Sequence, residues 1–98
     1  MIFLDIVSWE PKDTEAVGKC YEDYEFPEGV KVIDEWIDLM GCRTFVIYEP
    51  EDEEAYIASN LPFMGLCRFE TIPVMRADRY MEVFQKIAEK AGAKSESL

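Results

Sequence analysis

Residues 30–49, VKVIDEWIDLMGCRTFVIYE, read as two strands joined by a tight turn. Val30 to Leu39 form the first arm, and the charges at Lys31, Asp34, Glu35 and Asp38 suit a sheet edge that must resist uncontrolled pairing. Met40, Gly41 and Cys42 supply the turn, after which Arg43 to Glu49 run back as the second arm. A lone hairpin has too little apolar surface to stand in water. The segments on either side of it therefore decide the fold.

Upstream, Ile2 to Trp9 carry the aliphatic and aromatic side chains of a central strand, which Pro11 stops. Asp13 is a candidate N-cap for a helix whose apolar stripe is Ala16, Val17, Cys20, Tyr21 and Tyr24, closed by Pro27 and Gly29. Downstream, Pro50 suits a first helical position, and the acids Glu51, Asp52, Glu53 and Glu54 complement the positive end of the helix dipole. Asn60 and Pro62 end that helix. Leu66 to Met75 form a last strand, and Pro73 within it requires an edge position. A third helix starts at Asp78, presents Tyr80, Met81, Phe84, Ile87, Ala88 and Ala91 on one stripe, and stops at Gly92. The expected organisation is one domain over residues 1–92 with a frayed tail over 93–98.

The order strand, helix, strand, strand, helix, strand predicts an α+β, ferredoxin-like β-α-β-β-α-β antiparallel sheet with an extra C-terminal helix. So few helices cover one face of a four-stranded sheet. The other face must meet water, a ligand or a second copy of the chain, and a homodimer joined through that open face is the expected assembly.

Composition narrows the function classes. A net charge of −11 without histidine argues against nucleic acid, because phosphate recognition needs a clustered Lys/Arg footprint and the ten basic residues are scattered. Anionic membrane surfaces are disfavoured for the same reason, and no apolar run approaches the roughly 20 residues that span a bilayer. Residues 1–7 lack the basic start and small-residue cleavage site of a signal peptide. Cys20, Cys42 and Cys67 are odd in number and far apart, which points to a reduced, cytoplasmic protein. No cofactor or metal is expected: the acidic run has no glycine turn for a calcium loop, and no histidine is present to pair with a thiolate.

Asp5 is the sharpest conflict in the chain, an acid in the middle of an otherwise apolar strand. A buried carboxylate needs a partner, a raised pKa or access to solvent. Arg43, Arg68 and Glu70 lie on strands expected beside it. Read functionally, Asp5 sits in the open-face cavity as an acid–base group or ligand anchor, with Asp38 and Glu70 as weaker catalytic candidates. Read structurally, it is one half of an ion pair at the dimer interface. Asp34, Trp36 and Asp38 share strand parity, opposite to Ile33, Ile37 and Leu39. The preferred parity points the polar set at the cavity, making Trp36 a wall and Asp38 a polar contact, with Phe63 in an apolar lip before the last strand. The candidate ligand-binding set is therefore Asp5, Trp36, Asp38, Phe63, Arg43, Arg68 and Glu70.

The segment Trp36 to Phe45, followed by Leu61-Pro62-Phe63 and by Phe69 to Val74, resembles a family of small uncharacterised prokaryotic domains in the dimeric α/β-barrel superfamily. The likeness covers Ile2 to Val74 and includes Trp9 to Asp13. Members often carry Trp where Phe63 stands and His where Ile37 stands, so any activity resting on that histidine is absent from this chain. The resemblance implies two sheets facing each other across a dimer and enclosing a cavity. Relatives on this fold include cofactor-independent monooxygenases, haem-degrading enzymes, isomerases and ligand-binding regulatory domains, and a histidine-ligated haem is ruled out here. Two classes stay open: a dimer that binds a small apolar or aromatic molecule between its sheets, with or without cofactor-independent catalysis, and a non-catalytic regulatory or interaction module that uses the open face only to dimerise.

Overall fold

A computed structural model of the chain describes residues 1–96, with side chains described through 92. Four strands, β1 (Ile2–Ser8), β2 (Val30–Ile37), β3 (Arg43–Pro50) and β4 (Arg68–Val74), form one antiparallel sheet in the order β2-β3-β1-β4. Helix α1 (Thr14–Glu22) links β1 to β2, and α2 (Glu53–Asn60) links β3 to β4. Short 3-10 turns at Pro11–Asp13 and Leu61–Phe63 precede α1 and follow α2. The architecture is α+β and ferredoxin-like, with a C-terminal helix α3 (Ala77–Glu96).

The two inner strands carry the regular apolar runs, and the outer strands carry the irregularities. Pro73 lies in β4, an edge strand that pairs only with β1, so its missing N–H breaks no second ladder. On the other edge, β2 shifts register against β3 between Val32 and Asp34, leaving Ile33 as an extra residue. This bulge sends Val32, Glu35 and Ile37 to the face of Tyr48, Val46 and Thr44, and Asp34 and Trp36 to the opposite face.

Local chemistry moves several element ends from where the sequence placed them. Strand β2 stops at Ile37 because Asp38 begins the turn: its carboxylate accepts from Met40 N at 2.9 Å and its carbonyl from Gly41 N at 2.8 Å. Cys42 completes that turn at a φ of 64°. The Asp13 carboxylate accepts no capping hydrogen bond, since a 3-10 turn already leads into α1. Pro50 ends β3 rather than starting α2, and the N-cap of α2 is Asp52, whose Oδ1 accepts from Ala55 N at 2.8 Å. Helix α3 runs through Gly92 to Glu96, with residues 97–98 of the expected tail outside the described residues.

Helices α1 and α2 cover one face of the sheet. Phe3 and Tyr48 meet Tyr56 of α2 at ring separations of 5.8 and 6.5 Å, and Tyr24 meets Phe63 at 5.0 Å. Among the described residues, α3 packs against no other element, and its stripe of Tyr80, Met81, Phe84 and Ile87 is exposed. No helix among the described residues is long and apolar enough to cross a membrane.

Candidate functional site

Odd-numbered residues of β1 face the helices. Phe3 packs on Tyr56, while Asp5 and Val7 pair in register with Val46 and Thr44 of β3 and with Thr71 and Phe69 of β4. Asp5 thus lies under the helices, not on the open face where its sequence context alone would put it. Its relative exposure is 3%. The expected partners Arg43, Arg68 and Glu70 are not its neighbours; in their place, Thr71 Oγ1 donates to Asp5 Oδ1 at 2.7 Å, and Tyr56 OH donates to Thr71 Oγ1 at 3.3 Å. Burial pushes the Asp5 carboxyl above the usual carboxylate range, against the lowering effect of the Thr71 and Tyr48 hydroxyls.

Tyr48 is the second unusual group. It is 2% exposed, and its hydroxyl lies near Asp5 and Asn60 without meeting any partner in good hydrogen-bonding geometry. Burial and the adjacent Asp5 raise its pKa far above the ordinary phenol value, so it stays a neutral donor and acceptor.

Asp5 and Tyr48 line a cavity of about 540 Å³ between the sheet and α1. Its size falls within the range of small-molecule sites. The sheet contributes Val7, Val46, Thr44 and Phe69, and the α1 stripe contributes Thr14, Val17, Gly18 and Tyr21. Tyr24, Phe26 and Phe63 form an aromatic wall in mutual edge contact, with Tyr24–Phe26 and Tyr24–Phe63 both at 5.0 Å. Trp9 lines it too, tied by its indole N–H to Thr14 Oγ1 at 3.1 Å.

Most other polar groups of the lining are committed to the fold. Tyr24 OH donates to Ser59 O at 2.8 Å, Ser59 Oγ donates to Tyr56 O at 2.7 Å, and Tyr21 OH donates to Glu35 Oε2. The Glu35 carboxylate pushes Tyr21, and burial pushes Tyr24, up to about 12. Burial also raises the Cys67 thiol, which disfavours a reactive thiolate. What remains available in an aromatic cavity is the Asp5 carboxyl and the Tyr48 phenol, with the Thr44 hydroxyl and the Asn60 amide also in the lining.

Of the residues singled out from sequence, the cavity brings together Asp5 and Phe63, and Trp36 borders it from β2 although its register places its side chain on the opposite face. Asp38 is instead a turn residue, held below the usual carboxylate range by the Met40 N–H and then by Arg43, whose guanidinium sits 3.1 Å away. Arg43 also stacks 5.1 Å over the Phe45 ring. Arg68 pairs with Glu10 at 3.2 Å on the surface, and Glu70 pairs in register with Ile6 on the open face. Trp36, 64% exposed, shares that open face with Phe45. Tyr48, Thr71, Tyr21 and Tyr24 were not singled out. The signal that could have found the first is the alternation of Thr44, Val46 and Tyr48 along β3.

Fold and cavity together define a ferredoxin-like α+β domain with one polar pair beneath an aromatic wall. Residues 1–88 match the family described as Domain of unknown function (DUF3303), and the chain belongs to that family. No curated protein and no solved structure matches it significantly.

Proposed function

We propose that the protein binds a small apolar or aromatic molecule in the cavity between its sheet and α1, within each copy of the chain. The observation that carries this reading is a buried carboxyl, Asp5, at the base of a cavity of about 540 Å³ with aromatic walls. A protein selected only for stability gains by filling such a space, since each lost packing contact costs free energy. Asp5 is the group placed to anchor a polar substituent or to move a proton, should the bound molecule react.

Two copies associate, in this reading, through the open faces of their sheets. The face carrying Leu4, Ile6, Phe45, Ile47 and Ile72 is mainly apolar, interrupted by Asp34 and Glu70, Trp36 stands out from it, and α3 leaves a second apolar stripe unpaired. The same surface favours the interaction-module reading. That reading leaves the cavity beside α1 without a role.

Trp9 supplies the test. In a Trp36→Phe variant it is the sole tryptophan, because the chain has only two. Titration with nitrobenzene, a neutral aromatic quencher, is expected to quench Trp9 saturably in the folded protein. Quenching that rises linearly and matches that of the denatured chain would overturn the proposal.

A further inference from the structure

We propose that the ligand is a primary amine in its protonated form, carried on an aromatic or branched apolar body, with Asp5 as its counter-ion and the Tyr48 hydroxyl as a second acceptor. This rests on the cavity being a ligand site and adds the chemical class. Asp5 and Glu35 are the only side chains of the described lining that carry a formal charge, and no Lys or Arg is among them. A carboxylate or phosphate placed there would lie beside Asp5 with no cation to offset it. An ammonium is the reverse case: it offers donors only, and needs acceptors.

Two acceptors are in place. Asp5 uses Oδ1 for the Thr71 hydroxyl and keeps further lone pairs, and the buried Tyr48 hydroxyl, beside Asp5 and Asn60, meets neither in good hydrogen-bonding geometry. An unpaired buried hydroxyl is costly, and filling it is the simplest physical reason for its presence at a cavity wall. The Tyr24 and Phe63 rings add faces that attract a cation, and the net charge of −11 favours approach of cations over anions.

Three probes of matched shape separate the alternatives by calorimetry: 2-phenylethylamine, 2-phenylethanol and 3-phenylpropanoate. The amine is expected to bind wild-type protein at least about tenfold more tightly than the alcohol, a difference of about 1.4 kcal/mol, with the acid weakest. Asp5→Asn, confirmed as folded by circular dichroism, should remove the preference for the amine and leave alcohol binding in place. Equal or tighter binding of the alcohol or the acid by wild-type protein overturns the amine assignment while the cavity reading survives. So does an amine preference that persists in Asp5→Asn, which would locate the cation on the acidic surface. Failure of all three probes to bind contradicts both. The wild-type comparison decides the question even if the variant does not fold.

Discussion

Asp5 and Thr71 stand directly opposite each other on β1 and β4, and the Thr71 hydroxyl donates to Asp5 Oδ1 at 2.7 Å. The pair converts a sequence anomaly into a structural device. A lone acid in an apolar strand would either be expelled to solvent or paired with a cation. Here a neutral hydroxyl from the edge strand holds it in place, in a chain relayed to α2 through Tyr56. The carboxyl keeps its capacity to ionise because no internal cation fixes its charge.

This environment has a pH signature. Burial raises the Asp5 pKa in the folded protein above its ordinary value of 3.8, so the native state keeps a proton that the unfolded chain has released. Stability from this group is therefore highest below the ordinary value, falls as pH rises through the window up to the raised one, and stays lower above it. Asp5→Asn removes that loss. The stability of the variant relative to wild type, from urea unfolding at a series of pH values, is expected to increase from pH ~4 toward neutrality; a relative decrease would show that Asp5 is stabilised as an anion.

The Tyr48 hydroxyl costs stability because it is buried beside Asp5 and Asn60 without meeting either in good hydrogen-bonding geometry. Tyr48→Phe keeps the ring and removes the unpaired group, so the unliganded protein should be unchanged or more stable by about 1 kcal/mol. Thermal unfolding reads this directly. A loss of more than about 2 kcal/mol would mean that the hydroxyl makes a strong bond within the folded chain.

Gly18 lies in α1 on the stripe that lines the cavity, and a Cβ built there meets no atom within 4 Å. A glycine inside a helix costs roughly 0.5–1 kcal/mol relative to alanine, so Gly18→Ala should stabilise the protein by about that amount. Gly18→Leu should fold as well and project side-chain volume into the space, lowering the affinity of any cavity ligand. Denaturant melts of both variants check the first statement, and an unaltered nitrobenzene titration in Gly18→Leu carrying Trp36→Phe would refute the second.

Trp36, 64% exposed on the open face, is the side chain that two associating sheets would bury first. Trp36→Asp should shift sedimentation at micromolar concentration from dimer to monomer while leaving the far-ultraviolet spectrum intact. A wild-type protein that sediments as a monomer would remove the dimer from the account.

The hairpin, the two crossovers and the edge position of Pro73 were legible because each rests on local rules: turn residues, strand-forming runs and the missing proline donor. Alternation along the strand grouped Trp36 with Asp34 and against Ile37, but which of the two groups the helices cover was not legible. Asp5 was legible as an anomaly, but not its face. A sheet side is decided by which residues the helices bring to it, and neither Tyr56 nor Thr71 is near Asp5 in the sequence. The cavity beside α1 was not legible for the same reason. It depends on α1 carrying Gly18, which the sequence shows, and on the distance at which the Tyr24–Phe63 contact holds that side, which is a product of tertiary packing.

The central claim, that the space between the sheet and α1 is a ligand site, is tested most directly by methyl NMR. Val7, Val17 and Val46 line the cavity, whereas Val74 lies on the opposite face of the sheet. On titration with toluene, the account predicts saturable shifts of the Val7, Val17 and Val46 methyls in wild-type protein, diminished in Gly18→Leu, with Val74 unmoved. Shifts confined to Val74 and the open face, or none at any of the four, would contradict it.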